Sequence, residues 1–312
     1  MRVLLWHVHG AWTTSFVHGP HTYLVPVLPG RGPDGRGRAR TYEWPANAVE
    51  VTPAETATTP VDVVVLQRPE ELGGLAERWL GGRRPGRDLP AVYVEHNAPQ
   101  GRINEMRHPA ADRPDLTLVH VTHFNALFWD AGSTPARVIE HGVVDPGPRY
   151  TGELRRAAVV VNEPARRARV TGTDLLPALD EPMPIDLFGI GAGSLGGIED
   201  LPQARLHEEM ARRRAYLHPV RWTSLGLSLI EAMHLGMPVV ALATTEVTEA
   251  VPPEAGVVSN RLDVLRDALA GLADDPPAAA EMGSAAREAA LRRYGLGRFL
   301  TDWNELLEEV TS

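Results

Sequence analysis

The sequence predicts an α/β protein built from two successive parallel-sheet domains, and three observations carry that reading. Apolar runs bounded by Gly, Pro or polar turns recur along the chain without strict alternation, as expected of strands covered on both faces. Segments of helical spacing lie between them. At 312 residues the chain exceeds what one hydrophobic core ordinarily holds, and roughly 150 residues per domain points to two.

Taken in order, strands are expected at Val3–Val8, Val61–Leu66, Ala91–Val94 and Leu116–Val121, with helices over Leu72–Leu80 and Phe124–Ala131. The Gly- and Arg-rich stretch Pro29–Arg40 reads as a mobile solvated loop or, alternatively, as a lid facing a substrate. Asp145-Pro146-Gly147-Pro148 interrupts the rhythm and sets the expected boundary, giving domains 1–148 and 149–312. The second series has strands at Ala157–Val161, Ile185–Phe188, Ala215–His218, Pro238–Leu242 and Gly256–Val258, followed by helices over Pro277–Tyr294 and Leu296–Val310. Two consecutive βα series imply two Rossmann-like domains facing each other, with ligands at the carboxyl ends of their strands.

Composition narrows the chemistry. A formal net charge of -9 and a pI near 5.7 argue against nucleic acid or an anionic membrane as the main partner. Any anion must then be held by a local arginine cluster. All 31 basic residues are arginine, which excludes a Walker-type lysine and Schiff-base chemistry. Cysteine is absent, so disulfides and thiolate nucleophiles are excluded and a reducing interior is suited. No N-terminal segment has the order of a signal peptide, and no apolar run approaches the ~20 residues that span a bilayer. A cytoplasmic protein is expected, with peripheral membrane contact left open. The 12 histidines include no His-Glu-x-x-His, and no third metal ligand can be nominated beside His7/His9 or His120/His123. Gly189-Ile190-Gly191-Ala192-Gly193-Ser194 matches only part of the dinucleotide fingerprint.

The informative stretch runs from Leu217 to Ala241. A loop centred on Gly226 lets backbone approach a ligand closely, and the helix after it presents free N–H groups and a positive dipole end, which suits a diphosphate. Glu231 falls in the first two turns of that helix, where a carboxylate can accept hydrogen bonds from two adjacent ribose hydroxyls. Alternatively it only favours the helix N-terminus electrostatically.

With its strand, Gly loop, Ile230-Glu231-Ala232-Met233 helix and Gly236-Met237-Pro238-Val239-Val240-Ala241 strand, this stretch resembles the C-terminal signature of the family 4 retaining glycosyltransferases. The resemblance implies the GT-B architecture, two Rossmann-like domains facing across a cleft, with the last helix crossing back to the first. It implies a nucleotide-diphosphate sugar as donor substrate, a hydroxyl acceptor, transfer with retention, and no cofactor or essential metal. Glu231 then takes the ribose, and Thr223, Ser224, Leu225, Gly226 and Leu227 line the donor site. Thr223 stands where the family has the first glutamate of Glu-x7-Glu, which contacts the donor sugar, so the sugar cannot be carried over. A non-catalytic nucleotide-sugar binder or a sugar-nucleotide epimerase is the alternative.

Asn162-Glu163-Pro164-Ala165-Arg166-Arg167-Ala168-Arg169-Val170-Thr171, followed by Gly172-Thr173-Asp174-Leu175-Leu176, resembles the family's Arg-x4-Lys segment that grips the diphosphate. Arg166 matches the arginine and Thr171 the lysine; Arg167 or Arg169 can replace the ammonium, since a guanidinium fork binds phosphate oxygens, or alternatively the segment is a solvated basic turn. In the first half the likeness is looser. Val92–Asn97 resembles a strand ending in the histidine beside the donor sugar, which implies that role for His96. His9 and Gly10 occupy the place of the family's glycine-rich loop, and Val138–Asp145 resembles the segment before the interdomain linker. The two domains are expected to close around the donor.

Overall fold

Seven short strands of the computed structural model, which describes residues 1–312, form one sheet: β1 (Arg2–Leu5), β2 (Thr22–Pro26), β3 (Ala48–Val51), β4 (Val63–Leu66), β5 (Ala91–Glu95), β6 (Thr117–His120) and β7 (Ala136–Val138). Its order is β3-β2-β1-β4-β5-β6-β7, with every neighbouring pair parallel. The apolar runs of β1, β4 and β5 are wholly buried at their centres, as two-sided coverage by helices requires. A second parallel sheet, of order β12-β11-β10-β8-β9, is made of β8 (Leu154–Val160), β9 (Ile185–Phe188), β10 (Arg213–His218), β11 (Val239–Ala241) and β12 (Gly256–Val258). This is the doubly wound arrangement in each case.

The chain divides into two units, one of Met1–Gly142 with Leu296–Ser312 and the other of Val143–Gly295. The division falls shortly before Asp145–Pro148, where the sequence suggested a boundary, and the C-terminal helix Leu296–Thr311 belongs to the first unit. That helix earns its place by apolar burial. Phe299 and Trp303 are fully buried, and the Trp303 ring stands 5.6 Å from Trp12 and 5.0 Å from Phe16 in edge-to-face contacts.

Several elements differ from the sequence expectation for local reasons. β1 stops at Leu5 instead of Val8, so Trp6–His9 leave the sheet as a loop. Leu72–Leu80 is not one helix: Gly74 takes φ 110°, which breaks it into Glu71–Leu75 and Ala76–Trp79. The helix expected over Phe124–Ala131 is His123–Phe128, ended where Trp129 turns extended. Pro29–Arg40 is irregular but tethered. Asp34 O accepts from Trp6 Nε1 at 3.1 Å, Gly37 O lies 3.0 Å from His7 Nδ1, and Arg31 pairs with Glu50 at 2.8 Å. No helix is long and apolar enough to cross a membrane.

Candidate functional site

In open α/β sheets ligands bind outside the carboxyl ends of the strands where the strand order reverses. In the second unit that point lies between β8 and β10. Both loops singled out by the sequence start there.

After β10 the chain runs through Pro219–Leu225 into the helix Leu227–Leu235, with Gly226 as its N-cap. No side chain caps this helix; Leu229 N donates back to Gly226 O at 3.0 Å, and the N–H groups of Leu227 and Ser228 stand at the positive end of the dipole. Gly226 has an ordinary extended conformation (φ -70°), open to any residue. Glycine is required there by proximity: a β-carbon would stand 2.8 Å from His218 Cε1. Ser224 and Leu225 are buried beneath the loop, whereas Thr223, Gly226 and Leu227 remain half-buried at its surface. The helix is tied to the sheet by Ser228, whose Oγ lies 2.9 Å from Tyr216 OH and donates to Val160 O at 3.3 Å.

Glu231 is the fifth residue of the helix and only 6% exposed. Its Oε2 stands 3.5 Å from Nε2 of His207, on the helix Gln203–Arg212.

After β8 the backbone turns at Glu163, which is left-handed (φ 55°), into the arginine segment. This segment meets the β10 loop directly. Gly172, at φ 72°, packs so closely that a β-carbon would lie 1.8 Å from Pro219 O, and Arg221 N donates to Val170 O at 2.9 Å. The three candidate cations are not equivalent. Arg166 pairs with Glu163, whose carboxyl it holds below the usual range. Arg169 lies 3.4 Å from Asp174, which Arg221 grips at 2.9 Å and holds low. Arg167, half-buried, has no acidic partner.

In the first unit the order reverses between β1 and β4. His9 and Gly10 follow β1, Gln67 follows β4 and His96 follows β5. Gly10 begins the short helix Gly10–Phe16. Gln67 donates through Nε2 to Trp6 O at 2.7 Å, which turns its Oε1 to His96 Nε2 at 3.0 Å. The His96 proton is thereby assigned to Nε2, leaving Nδ1 as an acceptor. The His9 ring packs 4.1 Å from that of His96, and Trp12 closes the edge at 4.9 Å. Burial pushes His9 down to about 4, His141 down to about 3, and His96 well below the usual histidine range. These imidazoles are neutral at pH 7, suited to exchanging hydrogen bonds with hydroxyls rather than holding anions.

The structure thus gathers Thr223–Leu227, Glu231 and the arginine segment at one switch point, and His9, Gly10 and His96 at the other. Gln67, His141, His207, Tyr216 and Ser228 were not found from the sequence, because a lone Gln, His, Tyr or Ser outside a motif carries no signal of what it faces.

Residues 198–289 match the family model described as glycosyl transferases group 1. No curated protein matches the chain in sequence. Among solved structures, a mutant of S. aureus TarM in complex with fondaparinux, alpha-GlcNAc-glycerol and UDP superposes with TM-score 0.64 at 14% identity, over 78% of this chain and 55% of that one. This chain therefore spans about half the length of that protein. Sucrose-phosphate synthase from Thermosynechococcus elongatus superposes with TM-score 0.73 at 12% identity over 99% of both chains. Anabaena HepE in complex with UDP-glucose gives 0.68 at 15%, over 99% of this chain and 100% of that one. The fold is that of the GT-B class of glycosyltransferases. Within that fold, the likeness to the glycosyl transferases group 1 family lies in residues 198–289.

Proposed function

We propose that this chain transfers a hexose-type sugar from a nucleotide-diphosphate sugar to an acceptor hydroxyl in the cytoplasm, with retention of configuration and without a cofactor or metal. One observation supports this most: an uncapped helix N-terminus, a buried carboxylate (Glu231) and a guanidinium in no salt bridge (Arg167) share the β8/β10 switch point. Such a site fits a nucleoside diphosphate, with the dipole and cation on phosphate and Glu231 on the sugar of the nucleoside.

Departure of the nucleoside diphosphate builds charge on phosphate oxygens, which Arg167 and the N–H groups after Gly226 stabilise in place. The transferred sugar becomes oxocarbenium-like, and the acceptor hydroxyl attacks from the leaving-group face, passing its proton to the departing phosphate. No protein nucleophile is needed. His96 and His9, neutral at the first unit's switch point, receive sugar hydroxyls, and that unit provides the acceptor side.

A second reading has one observation behind it. Thr223 supplies only a short uncharged hydroxyl where the resemblance expects a carboxylate on the donor sugar, as a non-catalytic binder or an epimerase would allow. Incubation with radiolabelled nucleotide sugars, with and without a panel of hydroxyl acceptors, separates these. Acceptor-dependent appearance of labelled glycoside is expected. Binding without turnover, or isomerised donor, would replace the transferase reading.

A further inference from the structure

Glu231 is a buried carboxylate with no arginine and no backbone N–H on it; its nearest polar partner is Nε2 of His207, 3.5 Å from Oε2. His207 is itself 7% exposed and lies on a separate helix, Gln203–Arg212. Two other polar groups feel its charge: the Tyr216 phenol, already engaged with Ser228 Oγ at 2.9 Å, and His234, whose ring proton goes from Nδ1 to Ile230 O at 2.9 Å so that its Nε2 cannot donate. His207 is therefore the one side chain able to donate to Glu231 before a ligand arrives.

We propose that His207 is a positioning residue that fixes the carboxylate plane of Glu231 and thereby sets how strongly the site selects ribose. The inference rests on the reading that Glu231 accepts the ribose hydroxyls. A carboxylate accepting two vicinal hydroxyls must present both oxygens in one plane, and a glutamate has rotatable bonds that permit many other arrangements. An N–H from His207 on Oε2 removes that freedom while leaving lone pairs on both oxygens, since a carboxylate offers about four acceptor positions. The contact also partners a charge that would otherwise be buried alone.

Gln203 completes the device. Its carboxamide nitrogen is 2.8 Å from the same Nε2. A single ring nitrogen cannot accept from Gln203 and donate to Glu231 at once. Two arrangements exist. In one, Nε2–H points at Glu231 and the Gln203 amide, turned by half a rotation, presents oxygen. In the other, Nε2 accepts from Gln203 and Glu231 is released. Gln203 is half-buried, and a half-turn of its amide exchanges the two arrangements.

The test compares UDP, ADP and GDP with their 2′-deoxy forms by calorimetry on the full chain. The wild-type protein is expected to bind its preferred ribonucleotide about tenfold more tightly than the deoxy form, the size of one charged hydrogen bond. His207→Leu should bring that ratio to within about twofold, and His207→Gln, which restores an N–H, should recover most of it. Loss of folding alone does not change the ratio. Should His207→Leu fail to fold, His207→Asn, whose amide stops short of Glu231, is expected to lose the ratio likewise. A full ratio in a folded Leu or Asn variant overturns the role of His207 while leaving Glu231 at the ribose. A wild-type protein indifferent to the 2′-hydroxyl instead removes the Glu231 reading itself.

Discussion

Gly226 lies against the ring of His218 so closely that a β-carbon on Gly226 would stand 2.8 Å from the imidazole Cε1. The loop leading to the helix Leu227–Leu235 is thus seated on a fully buried side chain at the end of β10. Gly226→Ala should cost about 1–3 kcal/mol of stability, the range for overpacking a dense interior. Thermal melts check this. In the double variant with His218→Ala the penalty of the Gly226 change should shrink, because the clashing ring is gone; strictly additive effects would show that the contact is not the cause.

His218 also makes stability depend on pH. Neither of its ring nitrogens has a partner, and burial pushes it down to about 4 from the usual 6.5. The unfolded chain then binds the proton more readily than the folded one below pH 6.5. Stability from this group is therefore complete above about pH 6.5 and is lost as pH falls toward 4. Between pH 7 and pH 5 the loss is about 2 kcal/mol for one such histidine. His218→Leu should narrow the gap between melting temperatures at the two pH values, and an unchanged gap would assign acid sensitivity to other groups.

Among the three arginines after β8, Arg167 has no acidic partner, whereas Arg166 and Arg169 are paired with Glu163 and Asp174. Arg167→Ala should therefore lose the most turnover, by about 10- to 100-fold, and more in kcat than in donor affinity because phosphate charge grows toward the transition state. Single alanine variants at all three positions, assayed by steady-state kinetics, rank them. Normal turnover in Arg167→Ala would remove it from the diphosphate.

Glu231→Gln keeps the shape of the side chain and removes its charge. Nucleoside diphosphate affinity should fall by about 1.5–3 kcal/mol, as for loss of a charged hydrogen bond. Isothermal calorimetry measures it directly, and unaltered affinity in a folded variant would place the ribose elsewhere.

Much of the fold is legible in the sequence because buried parallel strands must be continuous apolar runs. Val63–Leu66, Ala91–Glu95 and Gly256–Val258 stand where those runs do. The strands missed are the ones that break the rule. β2 follows Gly19-Pro20 and ends on Pro26, β3 is half-exposed, and β7 is an edge strand with two of its three residues exposed. The Gly226-to-Glu231 segment was legible for a different reason. A loop that brings backbone to a ligand and the helix that follows it are contiguous, so local spacing records them.

The sequence by itself determined the two series of βα elements, the helix bearing Glu231, the arginine segment and the absence of lysine and cysteine chemistry, all set by residues near one another in the chain. Only the tertiary structure decided that Arg221, from the β10 loop, joins Arg169 at Asp174 and that His207 faces Glu231. It likewise decided that Gln67 orients His96. The physical reason is range. Periodicity and turn chemistry act over a few residues, whereas a charge or a ring nitrogen takes its partner from whichever element the sheet order and core packing bring beside it, and no local pattern encodes that neighbour.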